Sequence, residues 1–282
     1  MTDPSRRSEG FENVRFVHEA LPDIDLGKID LGTDFLGRRL KAPLLVDGRG
    51  ASPEEAVRLA EAAQQLGVAL MIGLGPDMTV RLKAPDTPIL ASVRAADLLR
   101  GFGVDQVRDA LDRVAADGLT VELSPLKDAG DPDGTGDWWG LGAALEALAK
   151  GLDAPVAARG RLSTATARRL VEMGVAVVDL AGDEGAPDPA FADWGGSLAT
   201  AIAPVRSACP SSMLIASGLT DGVEAAKAIR LGADMAGLRV GAAASTEAVI
   251  EAVQQVARQL RTVCFCTGSS SLIALRRAPL QT

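Results

Sequence analysis

The stretch MLIASGLTDGVEAAKAIRLGADMAGLRVG, residues 213–241, decides the architecture. Its first six residues are a short apolar run ending in Ser217-Gly218. Asp221-Gly222 then opens an amphipathic stretch to Leu231, and a second apolar run occupies 235–241. Runs this short, bounded by Gly, Ser or Asp, have the pattern of strands buried on both faces of a parallel sheet. Working outward, six more runs match: 42–47 (APLLVD), 68–73 (VALMIG), 89–93 (ILASV), 119–124 (LTVELS), 155–160 (PVAARG) and 176–182 (AVVDLAG).

Helical stretches alternate with them. Residues 53–66 follow Ser52 as an N-cap and stop before Gly67. Residues 104–116 place Val104, Val107, Leu111 and Val114 on one face. The segments 139–152, 164–173, 222–231 and 246–260 read the same way, and the connection after Val93 has a weaker helical pattern. Eight strand-like runs alternating with helices predict a (β/α)8 TIM barrel over 42–282. A doubly wound open sheet is the rival, because alternation by itself does not show closure. Residues 1–41 are expected to pack on the barrel as an N-terminal extension, capping its bottom or adding to an oligomer interface.

Among the 282 residues, 29 Lys and Arg against 37 Asp and Glu give a net charge of −8. That balance disfavours nucleic acid and anionic membranes, which reward positive charge. Aromatic residues are 3% of the chain, too few for a base-stacking platform. The three cysteines, Cys209, Cys264 and Cys266, lack disulfide-framework or zinc spacing. With no apolar leader and no run of 18 apolar residues, the chain is expected to be soluble and cytoplasmic. The lone His18 precedes the first strand, so no Ser–His–Asp arrangement is expected.

In such barrels the reactive groups sit at the C-terminal strand ends. The seventh and eighth ends, with Ser217, Gly218, Asp221, Gly222 and Gly241, suit a phosphate held by backbone N–H groups and a helix N-terminus. The alternative is that these glycines only make tight turns. Arg94, Arg159 and Arg239 at other strand ends supply counter-charge for a diphosphate. The acidic loop 127–137 (KDAGDPDGTGD), with Asp128 and Asp131, faces a second acidic loop, 183–188 (DEGAPD). Converging carboxylates suit Mg²⁺, although a solvated acidic loop is an equal alternative. Trp138, Trp139 and Trp194 either wall an apolar substrate pocket or cover the core.

The chain also resembles a known family. The stretches 16–26 (FVHEALPDIDL), 35–44 (FLGRRLKAPL), 123–128 (LSPLKD), 191–195 (FADWG) and 216–222 (ASGLTDG), with Leu260-Arg261-Thr262, Phe265 and Thr267-Gly268, resemble type 2 isopentenyl-diphosphate isomerases, over about residues 11–280. The resemblance implies a (β/α)8 barrel that binds FMN and Mg²⁺, forms a homo-oligomer and moves a double bond in a prenyl diphosphate. It places flavin contacts at the turn after the first strand, the end of the second, Ser92, and Arg159 or Ala158. It sets the family's His and Asn on Glu122 and Ser124, its proton-transfer Gln on Lys127 and its metal-binding Glu on Asp128. Most of these positions differ from the family pattern: Gly48-Arg49-Gly50, Gly73-Leu74-Gly75-Pro76 and Gly185-Ala186-Pro187-Asp188 replace its glycine- and hydroxyl-rich turns.

Three functions follow as expectations. The first is an enzyme on a prenyl diphosphate with Mg²⁺, working by carbocation cyclisation or rearrangement without flavin. Asp128, Lys127, Glu122 or Asp179 would be its proton-transfer groups. The second is an FMN-dependent isopentenyl-diphosphate isomerase, and the third a non-catalytic scaffold in an oligomer.

Overall fold

The computed structural model describes residues 10–75, 77–131, 136–182, 189–191, 194–239 and 245–281. A short antiparallel hairpin, β1 (Thr33–Phe35) and β2 (Arg38–Leu40), precedes the main body. The barrel strands are β3 (Leu44–Gly48), β4 (Ala69–Gly73), β5 (Ile89–Arg94), β6 (Gly118–Leu123), β7 (Val156–Gly160), β8 (Val177–Ala181), β9 (Met213–Leu219) and β10 (Met235–Arg239). They pair in parallel in chain order, and β10 pairs with β3 to close the ring. Closure excludes the open sheet.

The helices are α1 (Pro53–Leu66), α2 (Ala95–Leu99), α3 (Val104–Val114), α4 (Pro125–Gly130), α5 (Leu141–Gly151), α6 (Thr164–Glu172), α7 (Leu198–Ala208), α8 (Gly222–Leu231), α9 (Thr246–Cys266) and α10 (Leu272–Leu275). Helix α1 begins with a full capping box, Ser52 and Glu55 each bonding the other's backbone, and ends where Gly67 turns left-handed at φ 67°. Helix α9 runs past the expected stop at Leu260 because no Gly or Pro intervenes before Gly268. Val249, Val253, Val256, Leu260 and Cys264 keep its buried stripe going. Helix α7 has no counterpart in the sequence reading, since Pro204 inside it weakens the pattern. Tertiary burial of Leu198, Ile202 and Val205 overrides that local cost. Between β4 and β5 no helix forms among the described residues, which leaves that side of the mouth uncovered.

Strand alternation sends successive side chains to opposite faces. Outward, Leu44, Val46, Leu70, Ile72, Val121, Val178 and Leu238 join the helices in the main core. Inward, the bottom layer is apolar: Leu45, Ala69, Met71, Leu90, Ala157, Val177, Ile215 and Met235. Phe35 and Leu40 of the hairpin pack into the same cluster and plug the barrel from below. Two residues further along the strands, the inward positions turn polar: Asp47, Ser92, Thr120, Arg159, Asp179 and Ser217. This polar layer floors the mouth.

The cysteines show what burial does to reactivity. Cys264 is buried on α9, and loss of solvent pushes its thiol up to about 11. The thiolate is the reactive form, so a raised pKa protects the group. Native iodoacetamide labelling at pH 8, read by peptide mass spectrometry, is expected to modify half-buried Cys266 well before Cys264. Equal labelling of the two would contradict that placement.

Candidate active site at the barrel mouth

Four consecutive strands bring charges of alternating sign into register: Arg94 opposite Glu122, Glu122 opposite Arg159, and Arg159 opposite Asp179. The side chains bond across this arrangement. Arg159 Nη1 donates to Asp179 Oδ2 at 2.8 Å, and Arg159 Nη2 lies 3.4 Å from Asp47 Oδ2. Arg159 is 1% exposed and Asp179 0%. Above them, Arg49 grips Asp47 with Nε and Nη2, both at 2.9 Å. Its Nη1 reaches across to Glu122 Oε2 at 2.6 Å, and the Ser92 hydroxyl donates to Glu122 Oε1, also at 2.6 Å.

Asp47, Glu122 and Asp179 set three carboxylates against the two guanidiniums of Arg49 and Arg159. Burial raises the Asp179 pKa, and the Arg159 charge only partly opposes it. Burial also presses upward on Asp47, but the Arg49 hydrogen bond and the Arg159 charge bring its carboxyl below the usual value.

Over this floor opens a cavity of about 980 Å³ on the side where β4–β5 lacks a helix. Arg49, Glu122 and Ser92 form its base, and Arg94, Arg100, Arg113 and Arg239 stand around it with Lys127. Leu74, Met78, Val93 and Phe102 supply an apolar wall. The sequence reading passed over Arg100, Arg113 and Phe102, because α2 and α3 read as ordinary covering helices. In sequence Arg49 reads only as part of a strand end. The available signal was an arginine two residues after the inward-facing Asp47.

The expected phosphate cradle is only partly open. Ser217 is fully buried, and its hydroxyl packs onto Gly237, where a Cβ would meet Ser217 Oγ at 2.1 Å. Gly218 is left-handed at φ 96°, with Arg239 Nη2 3.8 Å from where its Cβ would sit. The start of α8 is not available to a phosphate. Asp221 caps it, accepting from Val223 and Glu224 N–H at 2.8 Å each, and Gln259 Oε1 takes the Gly222 N–H at 2.8 Å. Gly222 is needed for helix contact instead, since a Cβ there would lie 2.2 Å from the Val256 carbonyl oxygen. Gly222→Ala is therefore expected to cost about 3 kcal/mol of stability, read as a lower urea midpoint. An unchanged midpoint would show that α8 and α9 separate easily.

Other expectations need correction. Trp139 is 90% exposed and Trp194 65%; Trp194 stacks edge-on with Phe191 at 5.8 Å, and Trp138 packs half-buried against the helix–sheet core. None of the three lines the cavity. Asp131 pairs with Arg94 at 3.3 Å, so an arginine already neutralises it. Asp128 is buried on α4, its pKa raised by burial, with the Arg94 charge opposing and Asp131 and Asp97 adding to the rise. Among the described residues no group of three or more potential metal ligands gathers. Asp133, residues 183–188 and Gly241 lie outside the described residues.

The positions that the resemblance assigns to a flavin ring do not fit one. Arg49 and the Ser92 hydroxyl are committed to Glu122, and Arg159 to Asp179 and Asp47. The end of β4 is pressed against the backbone of Arg49, where a Cβ on Gly73 would lie 2.3 Å from the Arg49 carbonyl oxygen.

No protein-family model matches the chain. Curated relatives do. An isopentenyl-diphosphate delta-isomerase of Xanthobacter autotrophicus is 44% identical, covering 99% of this chain and 92% of the relative. One from Stutzerimonas stutzeri is also 44% identical, over 99% and 93%, and one from Pseudescherichia vulneris 39%, over 99% and 93%. The Xanthobacter alignment runs over 319 positions while this chain has 282 residues, so at least 37 positions meet no residue here. Among solved structures, mandelate oxidase with (S)-2-phenylpropionate superposes with a TM-score of 0.76 at 22% identity, over 96% of this chain and 87% of that one. A mandelate oxidase variant holding a C4a-OH-FMN adduct gives 0.74 at 22%, over 96% and 88%. At that identity the likeness shows the barrel fold alone.

Proposed function

Because the chain belongs to the isopentenyl-diphosphate delta-isomerase family, we propose that it acts on a prenyl diphosphate at the barrel mouth and moves its double bond. The observation that carries this reading is the arginine-rich cavity over the polar floor. The relatives' activity favours double-bond isomerisation over the cyclisation or rearrangement that the altered motifs suggested.

In this reading the diphosphate lies against Arg94, Arg100 and Arg239, with Lys127 beside them. Guanidiniums match phosphate oxygens two at a time, so they orient the head group as well as attract it. The short alkenyl tail lies along Met78, Val93 and Phe102, which exclude water from it. Isomerisation removes a proton from C2 and adds one to C4, with no net change. Glu122 is the carboxylate among the cavity's lining residues held by Ser92 and Arg49 at 2.6 Å each, and each of its oxygens keeps further acceptor capacity. It is the group placed to exchange that proton. Lys127, which also lines the cavity, is the second candidate proton-transfer group, whereas Asp128, its pKa raised by burial, lies outside the lining.

Mg²⁺ enters this reading only as a companion of the diphosphate, since Asp128 and Asp131 already face Arg94. A flavin-assisted isomerisation is the second reading, favoured by the family to which the chain belongs. The test is incubation of the purified chain with isopentenyl diphosphate and Mg²⁺, with and without FMN and a reductant, following dimethylallyl diphosphate. Product in both arms supports isomerisation by the chain's own groups. Product only with FMN moves the reading to the flavin-assisted form. No product in either arm refutes both.

A further inference from the structure

We propose that the flavin seat of this barrel is filled by the protein's own side chains, so that Arg49, Glu122, Asp47 and Arg159 stand in place of the ring and the chain does not take up FMN. The proposal is independent of the isomerase reading, because it concerns occupancy and not turnover.

The positions that the resemblance assigns to flavin contacts are the turn after β3, the end of β4, Ser92, and Arg159 or Ala158. In this chain each is taken up by a neighbouring side chain or strand of the barrel. Arg49, in the turn, bonds both Asp47 and Glu122. Ser92 spends its hydroxyl on the same Glu122. Arg159 is taken by Asp179 and Asp47. Gly73 at the end of β4 lets the Arg49 backbone settle directly onto that strand.

A ring entering here must displace Arg49. That movement leaves Asp47 with only the longer Arg159 contact at 3.4 Å and Glu122 with only the neutral Ser92 hydroxyl, on side chains just 8% and 14% exposed. Breaking one partner of a buried pair leaves an uncompensated charge, which a neutral ring edge cannot neutralise. Flavin rings are bound through hydrogen bonds to their carbonyl oxygens and ring nitrogens. Here the donors already serve carboxylates, which are the stronger acceptors. The substitutions are also mutually consistent: Arg49 in the turn and Glu122 on β6 match in charge and reach, so neither change makes sense without the other.

The experiment is a titration of the full-length chain, shown folded by circular dichroism, with FMN, followed by flavin fluorescence and equilibrium dialysis. The expected result is no saturable uptake up to about 1 mM FMN. Saturable uptake below that concentration overturns the proposal, whether or not the protein isomerises anything. A second measurement addresses the plug itself, a double-mutant cycle of Arg49→Ala and Glu122→Gln on the unfolding equilibrium in urea. The pair is expected to be coupled by at least about fivefold. Additive effects overturn the proposal, because they mean that the bridge across the mouth is not made.

Discussion

Arg159→Met is expected to lower the unfolding free energy at pH 7 by about 3–5 kcal/mol, the cost of leaving a buried carboxylate without its partner. Methionine fills much of the same volume, so the loss comes from charge and not from a cavity. Asp179 loses the guanidinium at 2.8 Å, while Asp47, 3.4 Å from Arg159, keeps its two bonds from Arg49. The loss has a signed pH dependence. Burial already raises Asp179 above 3.8, and removing the Arg159 charge takes away an influence that lowers it. An acid whose folded pKa lies above its unfolded value binds more protons when folded, so its contribution to stability falls as pH rises through that window. The variant therefore sits nearest the parent at or below the unfolded value and drops further behind as pH rises. Urea midpoints at pH 3.5, 5 and 7 measure this. A gap that narrows with rising pH contradicts the assignment of the Arg159–Asp179 pair.

Glu122→Gln is expected to lower the rate of dimethylallyl diphosphate formation by about 10²–10³, the usual scale for losing a positioned proton-transfer group. Glutamine keeps the shape but only one acceptor oxygen, which can serve Arg49 while the Ser92 hydroxyl turns to accept from its NH2, so the fold is kept while the charged bridge is weakened. The variant should fold, bind diphosphate at the arginines and fail at the chemical step. The split is visible in the kinetics: kcat falls while KM stays within a small factor. A variant with parental kcat removes Glu122 from the reaction and leaves it a role only in the bridge to Arg49.

The barrel was legible in the chain because strands buried on both faces leave short apolar runs with sharp Gly, Ser or Asp boundaries, as in LLVDG and VVDLA. Helix α7 was not, since Pro204 breaks the local pattern that tertiary burial then restores. The floor of the mouth was half legible. Asp47, Ser92, Glu122, Arg159 and Asp179 were each visible as polar residues near strand ends. That they pair with one another depends on strand register, which sets Glu122 beside Arg159 and Arg159 beside Asp179, and no single segment contains that information. The helix start at Asp221-Gly222, expected to offer N–H groups to a phosphate, shows a related limit. A helix start looks open in sequence, whereas here Asp221 and Gln259, the latter 37 residues downstream on α9, satisfy its N–H groups. The tryptophans misled because hydrophobicity says only that a residue can line a pocket, and Trp139 and Trp194 face solvent instead.

The most direct test of the function is conversion of isopentenyl diphosphate by FMN-free protein, with Glu122→Gln carried alongside as the blank. Dimethylallyl diphosphate accumulating with the parent chain well above that blank is the expected result. Equal amounts from parent and variant, whether zero or not, would contradict a proton carried by Glu122 beneath the arginines of this mouth.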